Sequence, residues 1–425
     1  MPCVSLPGWR SPTCHHACVT AAPPPDPRVP ALEVLLSPEA AEVLGALVAA
    51  SGLVVEEAVA SQVRYSPGKS VVVQYRTTLG NGGGERSEPM LVAASGITVP
   101  EGTFLVESGQ TRIAMWRFPN DPFLPGLPLA TDSGRTSELL TRLGAPTDQV
   151  RIRTRAYRAT RRAVVEAAGV AGTVYMKVLR LNRIAALQQR HVHLAPHLPI
   201  PHSLGWSRRH GILAMQALGG TTLRQALEGG ALDLPSPQAL ISLLDQFPVA
   251  RPEMPGVAGA RERASDHAKL LRAVLPTAAG AVDAILSRVS VGAGDDAPVA
   301  VHGDFHSSQV LIDRGNIVGL VDVDTAGVGH RGDDLANMIG QLATLALISK
   351  QPGAFAAYTA LLFEEFQQHC PGDSLRRRVA AVILGLATGP FRVQMADWPQ
   401  ATMQRLELAA RWLDSVGSEE IPFNP

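Results

Sequence analysis

The segment Val299–Asp322 constrains this chain more than any other. An apolar run, Val299-Ala300-Val301, leads into His302-Gly303-Asp304, and Gln309 follows five residues after the aspartate. The runs Val310–Ile312 and Ile317–Val321 flank the turn Asp313-Arg314-Gly315-Asn316 and predict a β-hairpin. That hairpin ends on Asp322, with Asp324 two residues on. A short hairpin of this form delivers Asp304, Gln309 and Asp322 to one end. Carboxylate and amide oxygens are the ligands that a hard divalent cation such as magnesium takes together with phosphate. A carboxylate beside a hydroxyl orients it for phosphoryl transfer.

The rest of the chain is read around this segment. Residues 1–30 carry Pro23-Pro24-Pro25 and no sustained periodicity, which predicts a disordered tail. Cys14 and Cys18 flank two histidines there, but a second cluster with ligand spacing is missing, so a metal site is the lesser expectation. Ser37-Pro38-Glu39 starts a helix that Gly52 ends. Val71–Tyr75 predicts a strand, and Phe104–Val106 with Ile113–Trp116 a hairpin. Thr131–Leu143 returns to a helical pattern. The stretch from Tyr65 to Val73 resembles the stretch from Tyr157 to Val165: an aromatic, a basic or turn segment, then a β run. It reads equally as a duplicated hairpin or as two unrelated hairpins. Strands are expected from Arg151 through Thr173–Val178, which contains Lys177. A helix over Ile184–Leu194 and the strands Ser203–Trp206 and Ile212–Leu218 come next. From Thr222 the periodicity is mainly helical, apart from Val299–Asp322.

With this order of elements, the motif His302-Gly303-Asp304, Gln309, Asp322 resembles the aminoglycoside phosphotransferase and choline kinase-like families. These share the protein-kinase-like fold, whose catalytic loop is H-R-D-x-x-x-x-N followed by D-F-G. The resemblance implies an α+β, bilobal protein-kinase-like fold with a β-rich N-lobe, a helical C-lobe and, here, an N-terminal α/β cap. The expected division is a tail at 1–30, a cap at 31–145, a nucleotide-binding N-lobe at 146–220 and a helical C-lobe at 221–425. The resemblance implies transfer of the γ-phosphoryl group of ATP, with Mg2+, to a small-molecule hydroxyl. Asp304 would be the catalytic carboxylate and His302 would hold the loop. Gln309 and Asp322 would ligate metal. Lys177 would touch the ATP phosphates, and Met215, Gln216, Ala217 and Leu218 would meet the adenine. Asp334 matches the acid that begins the family's next helix, with a structural job.

Departures from the family pattern sharpen the expectations. Gln309 stands where the pattern has asparagine. The D-F-G glycine is replaced in Asp322-Val323-Asp324, which favours small-molecule kinases over protein kinases; Asp324 would assist metal or position the hairpin end. No acid occurs between Lys177 and Glu228, so the usual glutamate partner of the strand lysine is absent from Ile184–Leu194. Gln188, Gln189 or His191 would have to serve instead. A Gly-rich phosphate loop is also missing; Arg158, Arg161 and Arg162 occupy that turn, and arginine forks grip phosphate. Arg161 is taken as the phosphate contact. His306 is expected to cap its loop. The alternative from another class is a nucleotide-binding pseudokinase acting as scaffold or sensor.

Composition excludes several classes. Lys+Arg and Asp+Glu are both 38, so bulk positive charge does not mark a nucleic-acid binder. That balance hides an asymmetry: residues 1–220 hold 22 basic and 15 acidic side chains, and the remainder is correspondingly acidic. This reads as chance, as mutual attraction of two halves, or as a positive half for an anionic ligand and a negative half for metal ions or a cationic substrate. Lysines number only four, Lys69, Lys177, Lys269 and Lys350, so a lysine in an apolar strand is conspicuous. Apolar stretches are too short to span a bilayer, and no basic region precedes an apolar one at the start, so a cytoplasmic location is expected. Four cysteines exclude a disulfide scaffold. The acceptor and the oligomeric state are not legible.

Overall fold

Two antiparallel sheets packed face to face account for most of the first half of the computed structural model. Residues 4–5 and 22–418 are described, apart from 82, 110, 146–148, 252 and 292–296; the Cys14–Cys18 cluster lies outside them. In the first sheet, strands Val54–Ser66, Ser70–Gly80, Met90–Ser95, Thr111–Arg117 and Phe104–Ser108 lie side by side in that order. Alternation sends Val71, Val73, Tyr75, Leu91, Ala93 and Met115 to one face, against helices Ala31–Leu35 and Ala40–Val48. Val72, Val92, Ala94, Ala114 and Trp116 bury the other face against the second sheet. Burial on both sides explains why this sheet reads as continuous apolar runs. The helix begins later than the spacing predicts: its N-cap is Glu39, with no side-chain cap bond, and Ser37 Oγ instead accepts the Glu39 N–H at 3.2 Å in the turn before it. Gly52, at φ +67°, follows the helix and a short 3-10 turn.

The second sheet orders its strands Ser203–Ser207, Ile212–Gln216, Gly172–Leu179, Arg162–Gly169 and Arg151–Arg158, all antiparallel. Ala163, Val165, Ala167, Met176, Val178 and Ala214 face the first sheet. Period-2 alternation then turns Lys177 to the opposite face, where Leu213 and Met215 pack on Ile184 and Leu187 of helix Leu181–Leu194. The repeated pattern in the sequence is two β-hairpins that stack on one another. Arg64 donates to Ala159 O at 3.0 Å and to Thr160 Oγ1 at 2.8 Å, and Gln74 Oε1 accepts the Ala159 N–H at 2.6 Å.

The second half is helical, as its periodicity predicts. Helices Arg331–Ala346, Pro352–Phe366, Gly372–Leu386 and Trp398–Asp414 bury Leu335, Leu342, Phe363, Val379, Ile383 and Trp412 in one core with helices Pro237–Asp245 and Ala260–Val274. Trp116, Trp398 and Trp412 are buried, as expected, while Trp206 is half-buried. Val310–Asp313 and Asn316–Leu320 form the expected hairpin, which Thr221–Thr222 joins as a third strand. The molecule is thus a mixed α+β arrangement of a sheet-rich part facing a helical part. Among the described residues, no helix is long and apolar enough to cross a membrane.

Candidate active site

The loop His302-Gly303-Asp304 is held from beneath by Asp334. This carboxylate sits in the first turn of helix Arg331–Ala346 and accepts the N–H groups of His302 at 2.7 Å and Gly303 at 2.8 Å. Burial pushes the Asp334 carboxyl up, and His302 and the two amides oppose that shift. Gly303 adopts φ +77°, where a Cβ would stand 2.8 Å from Thr325 O and 2.9 Å from Val257 Cγ1. Only glycine fits both the dihedral and the space. The fully buried His302 ring lies 3.0 Å from Val321 O through Nε2 and accepts the Asp304 N–H at Nδ1, 3.2 Å away. Nδ1 is therefore the acceptor and Nε2 carries the proton. These contacts aim Asp304 outward. Its side chain is 43% exposed, and Asn337 Nδ2 stands 3.4 Å from its Oδ1.

Lys177 meets the aspartates across the cleft. Its Nζ lies 2.8 Å from Asp322 Oδ1 and also pairs with Asp324 Oδ1. Arg162 reaches the same two residues, at 3.2 Å from Asp324 Oδ2 and 3.4 Å from Asp322. Burial alone would lower the Lys177 pKa; Asp324 and Asp322 outweigh it and raise the net value. Burial would likewise raise the Asp322 carboxyl, but Lys177 and Arg162 hold it below the usual carboxylate range. Asp322 occupies left-handed backbone at φ 62°, ψ 42°, bending the chain so that Asp324 follows onto the same cluster. Asp324 thus supplies Lys177 with the carboxylate partner that helix Leu181–Leu194 lacks. That helix contributes Arg190 instead, which donates to Asp324 O at 2.6 Å. Gln188 bonds Ser203 and does not serve the lysine.

Gln309 lies on the Asp322 side. Its terminal amide is 3.2 Å from His306 Nε2 and 3.4 Å from Asp322 Oδ2. His306 Nδ1 accepts the Ser308 N–H at 3.2 Å, which is the loop-capping role expected of it. Burial favours the neutral imidazole, so Nε2 is its donor and an acceptor belongs opposite. Amide oxygen and nitrogen are assigned by such networks. Turning the amide end for end satisfies His306 and sets the Gln309 oxygen facing Asp322 Oδ2. Two hard oxygens that face each other suit magnesium, whose remaining ligands are commonly water and phosphate. Among the described residues, no group of three or more His, Cys, Asp or Glu is arranged to hold a metal unaided.

The expected adenine contacts occupy the chain crossing between the two parts. Met215 is buried in its strand, the Gln216 N–H donates to His202 O at 2.9 Å, and the Ala217 N–H to Thr173 O at 3.1 Å. Met215 is paired within the sheet on both sides, so Met215, Gln216 and Ala217 are all tied to neighbouring backbone, and Leu218 comes next in the chain.

One expected residue lies elsewhere. Arg161 lines a separate cavity on the other side of its turn, and Arg162 is the arginine at the carboxylates. The reason is strand register: Ala163, Val165 and Ala167 face the first sheet, so Arg162 belongs to the Lys177 face. Alternation of small apolar residues from 163 was visible in the sequence and would have selected Arg162. The Lys177–Asp324 pair spans 147 positions and had no local signal.

Comparison with known proteins adds to this geometry. No curated protein matches the chain. Solved structures similar to it include aminoglycoside phosphotransferase APH(4)-Ia in a ternary complex with ADP and hygromycin B, at 16% identity and a TM-score of 0.46, covering 65% of this chain and 97% of that one. Macrolide 2'-phosphotransferase MphH from Brachybacterium faecium gives 18% identity and a TM-score of 0.40, covering 64% and 97%. A GDP complex of aminoglycoside 2'-phosphotransferase-IIIa gives 13% and 0.43, covering 65% and 97%. Residues 178–369 match the model of the phosphotransferase enzyme family, a span that takes in Asp304, Gln309, Asp322, Asp324 and Asp334 and begins one residue after Lys177. It is to this phosphotransferase enzyme family that the chain is similar, over residues 178–369, a little under half of its length.

Proposed function

We propose that the protein is a small-molecule kinase that moves the γ-phosphoryl group of ATP to the hydroxyl of a small acceptor. The observation that carries this reading is the meeting of Lys177 with Asp322 and Asp324, beside the outward-facing Asp304 on its rigid loop. Lys177 and Arg162 are the cations for the triphosphate: both already grip carboxylates, and phosphate oxygens offer the same acceptor geometry with more charge. Asp322 and Gln309 would hold magnesium, which supplies neutralisation of phosphate charge. Asp304 accepts the hydrogen of the acceptor hydroxyl and keeps its oxygen in line with the γ-phosphorus. His302 and Asp334 keep Asp304 in place, and Met215–Leu218 would border the adenine.

An ADP-release screen over aminoglycosides, macrolides, amino alcohols and sugars tests the reading. Acceptor-dependent ADP formation that is lost in Asp304→Ala, with ATP binding retained, is the expected result. Wild-type turnover in Asp304→Ala contradicts it. A second reading, nucleotide binding without transfer, is favoured by one feature: Lys177 and Arg162 are engaged by Asp322 and Asp324, so a nucleotide must break these ion pairs to reach them. Binding of ATP with no ADP release from any hydroxyl acceptor is its signature.

A further inference from the structure

A cavity of about 1120 Å³ opens where the two stacked hairpin turns meet the helical part of the molecule. Arg64 and Lys69 come from the first hairpin, Arg158 and Arg161 from the second, and Arg392 from the short helix Gly389–Arg392. Among the described residues, no carboxylate lies within ion-pair distance of any of these five cations. Asp266, the carboxylate on the cavity wall, is paired with Lys269 at 3.2 Å. Arg158, Arg161 and Arg392 are solvent-exposed yet set in a concave wall, so their forks are open to a ligand. Arg64 is pinned by Ala159 O and Thr160 Oγ1, which fixes one edge of the site. Burial, then Arg161 and Arg180, pushes the Arg64 guanidinium down to about 10. Partial desolvation in the concave wall and the neighbouring arginines also lower Arg161 and Arg392. Like charges are therefore gathered with no carboxylate in ion-pair contact among the described residues, at a cost that a bound anion would relieve.

We propose that this cavity is a binding site for a compact polyanion, a small molecule carrying two or more phosphate or carboxylate groups. Its volume lies just above the usual range for small-molecule pockets, about 300–1,000 Å³, and planar guanidinium forks from three elements suit several anionic groups at once. The site is separate from the nucleotide cleft: Lys177, Asp304 and Asp322 do not line it, and Arg162 points the other way. It also gives the repeated hairpin pattern and the basic first half of the chain a shared purpose.

The test is calorimetric titration of the full chain with inorganic pyrophosphate, in metal-free buffer at low ionic strength. Saturable binding that weakens as salt rises is expected. Arg158→Gln and Arg392→Gln should each weaken it about tenfold, one charge-assisted hydrogen bond's worth, and Lys350→Gln, an exposed lysine outside the cavity, should leave it unchanged. Thermal melts give a second readout: without ligand the two arginine variants melt no lower than wild type, and both lose the rise in Tm that pyrophosphate gives. Absence of saturable binding overturns the proposal. So does binding that survives both arginine variants and vanishes in Lys177→Met, which would place pyrophosphate in the nucleotide cleft.

Discussion

Removal of the Asp334 carboxylate tests how the loop is held. Asp334 is 2% exposed and accepts two backbone N–H groups, from His302 at 2.7 Å and Gly303 at 2.8 Å. A hydrogen bond to a charged acceptor is worth about 1.5–3 kcal/mol, and a buried donor left alone costs a similar amount. Asp334→Ala strands both donors, so we expect it to cost about 3–6 kcal/mol. Asp334→Asn keeps one acceptor and, because burial already disfavours the charged form, should cost about half as much. Denaturant unfolding gives the total, and hydrogen exchange of the peptide spanning 302–304 locates it. Both variants should expose the His302 and Gly303 amides, the alanine more than the asparagine. Wild-type protection of that peptide in Asp334→Ala, with an unchanged unfolding midpoint, would refute the reasoning.

Other consequences are as direct. Lys177→Met leaves Arg162 as the remaining side-chain ion-pair partner of Asp322 and Asp324 among the described residues; the lysine side chain is 9% exposed, so we expect a loss of about 3 kcal/mol in denaturant unfolding, together with loss of ATP binding in a fluorescence titration. Gly303→Ala forces a Cβ against Thr325 O at φ +77° and should cost about 1–3 kcal/mol in the same unfolding assay. The Asp322 pKa is lower folded than unfolded, so its contribution is present above the ordinary carboxylate value of about 4 and fades as pH falls through the folded value. Lys177 has the opposite sense: its pKa is raised on folding, so its contribution holds below about 10.4 and is lost as pH rises through the folded value. Melting curves of wild type and Asp322→Asn should therefore differ by a constant amount near neutral pH and converge in acid; a gap that persists to about pH 1 contradicts the pairing.

The sequence and the structure agree where the information is local. The hairpin ending on Asp322, the lysine in an apolar strand and the helix carrying Asp334 could each be read from a few residues, because alternation and turn chemistry act over that range. Val54–Ser66 carries no such signal: it is an edge strand, mostly exposed along its first half, and Glu56, Glu57 and Gln62 break up any apolar run. Helix Ala31–Leu35 is too short to show a period. What was invisible is contact between distant segments. The absence of an acid in helix Leu181–Leu194 left Lys177 without an expected partner, yet the left-handed turn at Asp322 brings Asp324 to it from the other side of the cleft. Choosing Arg161 over Arg162 was a register question, and the answer lay in which face of the strand meets the first sheet.

The central claim is that Asp304 serves an acceptor hydroxyl opposite a triphosphate held by Lys177. A single-turnover measurement tests it: wild type and Asp304→Asn are each loaded with ATP and magnesium, mixed with an acceptor found by the ADP-release screen, and followed by ³¹P NMR for a phosphomonoester product. The account predicts product from wild type and none from Asp304→Asn on the same timescale, with ATP bound equally by both. Product formed at the wild-type rate by Asp304→Asn would contradict it.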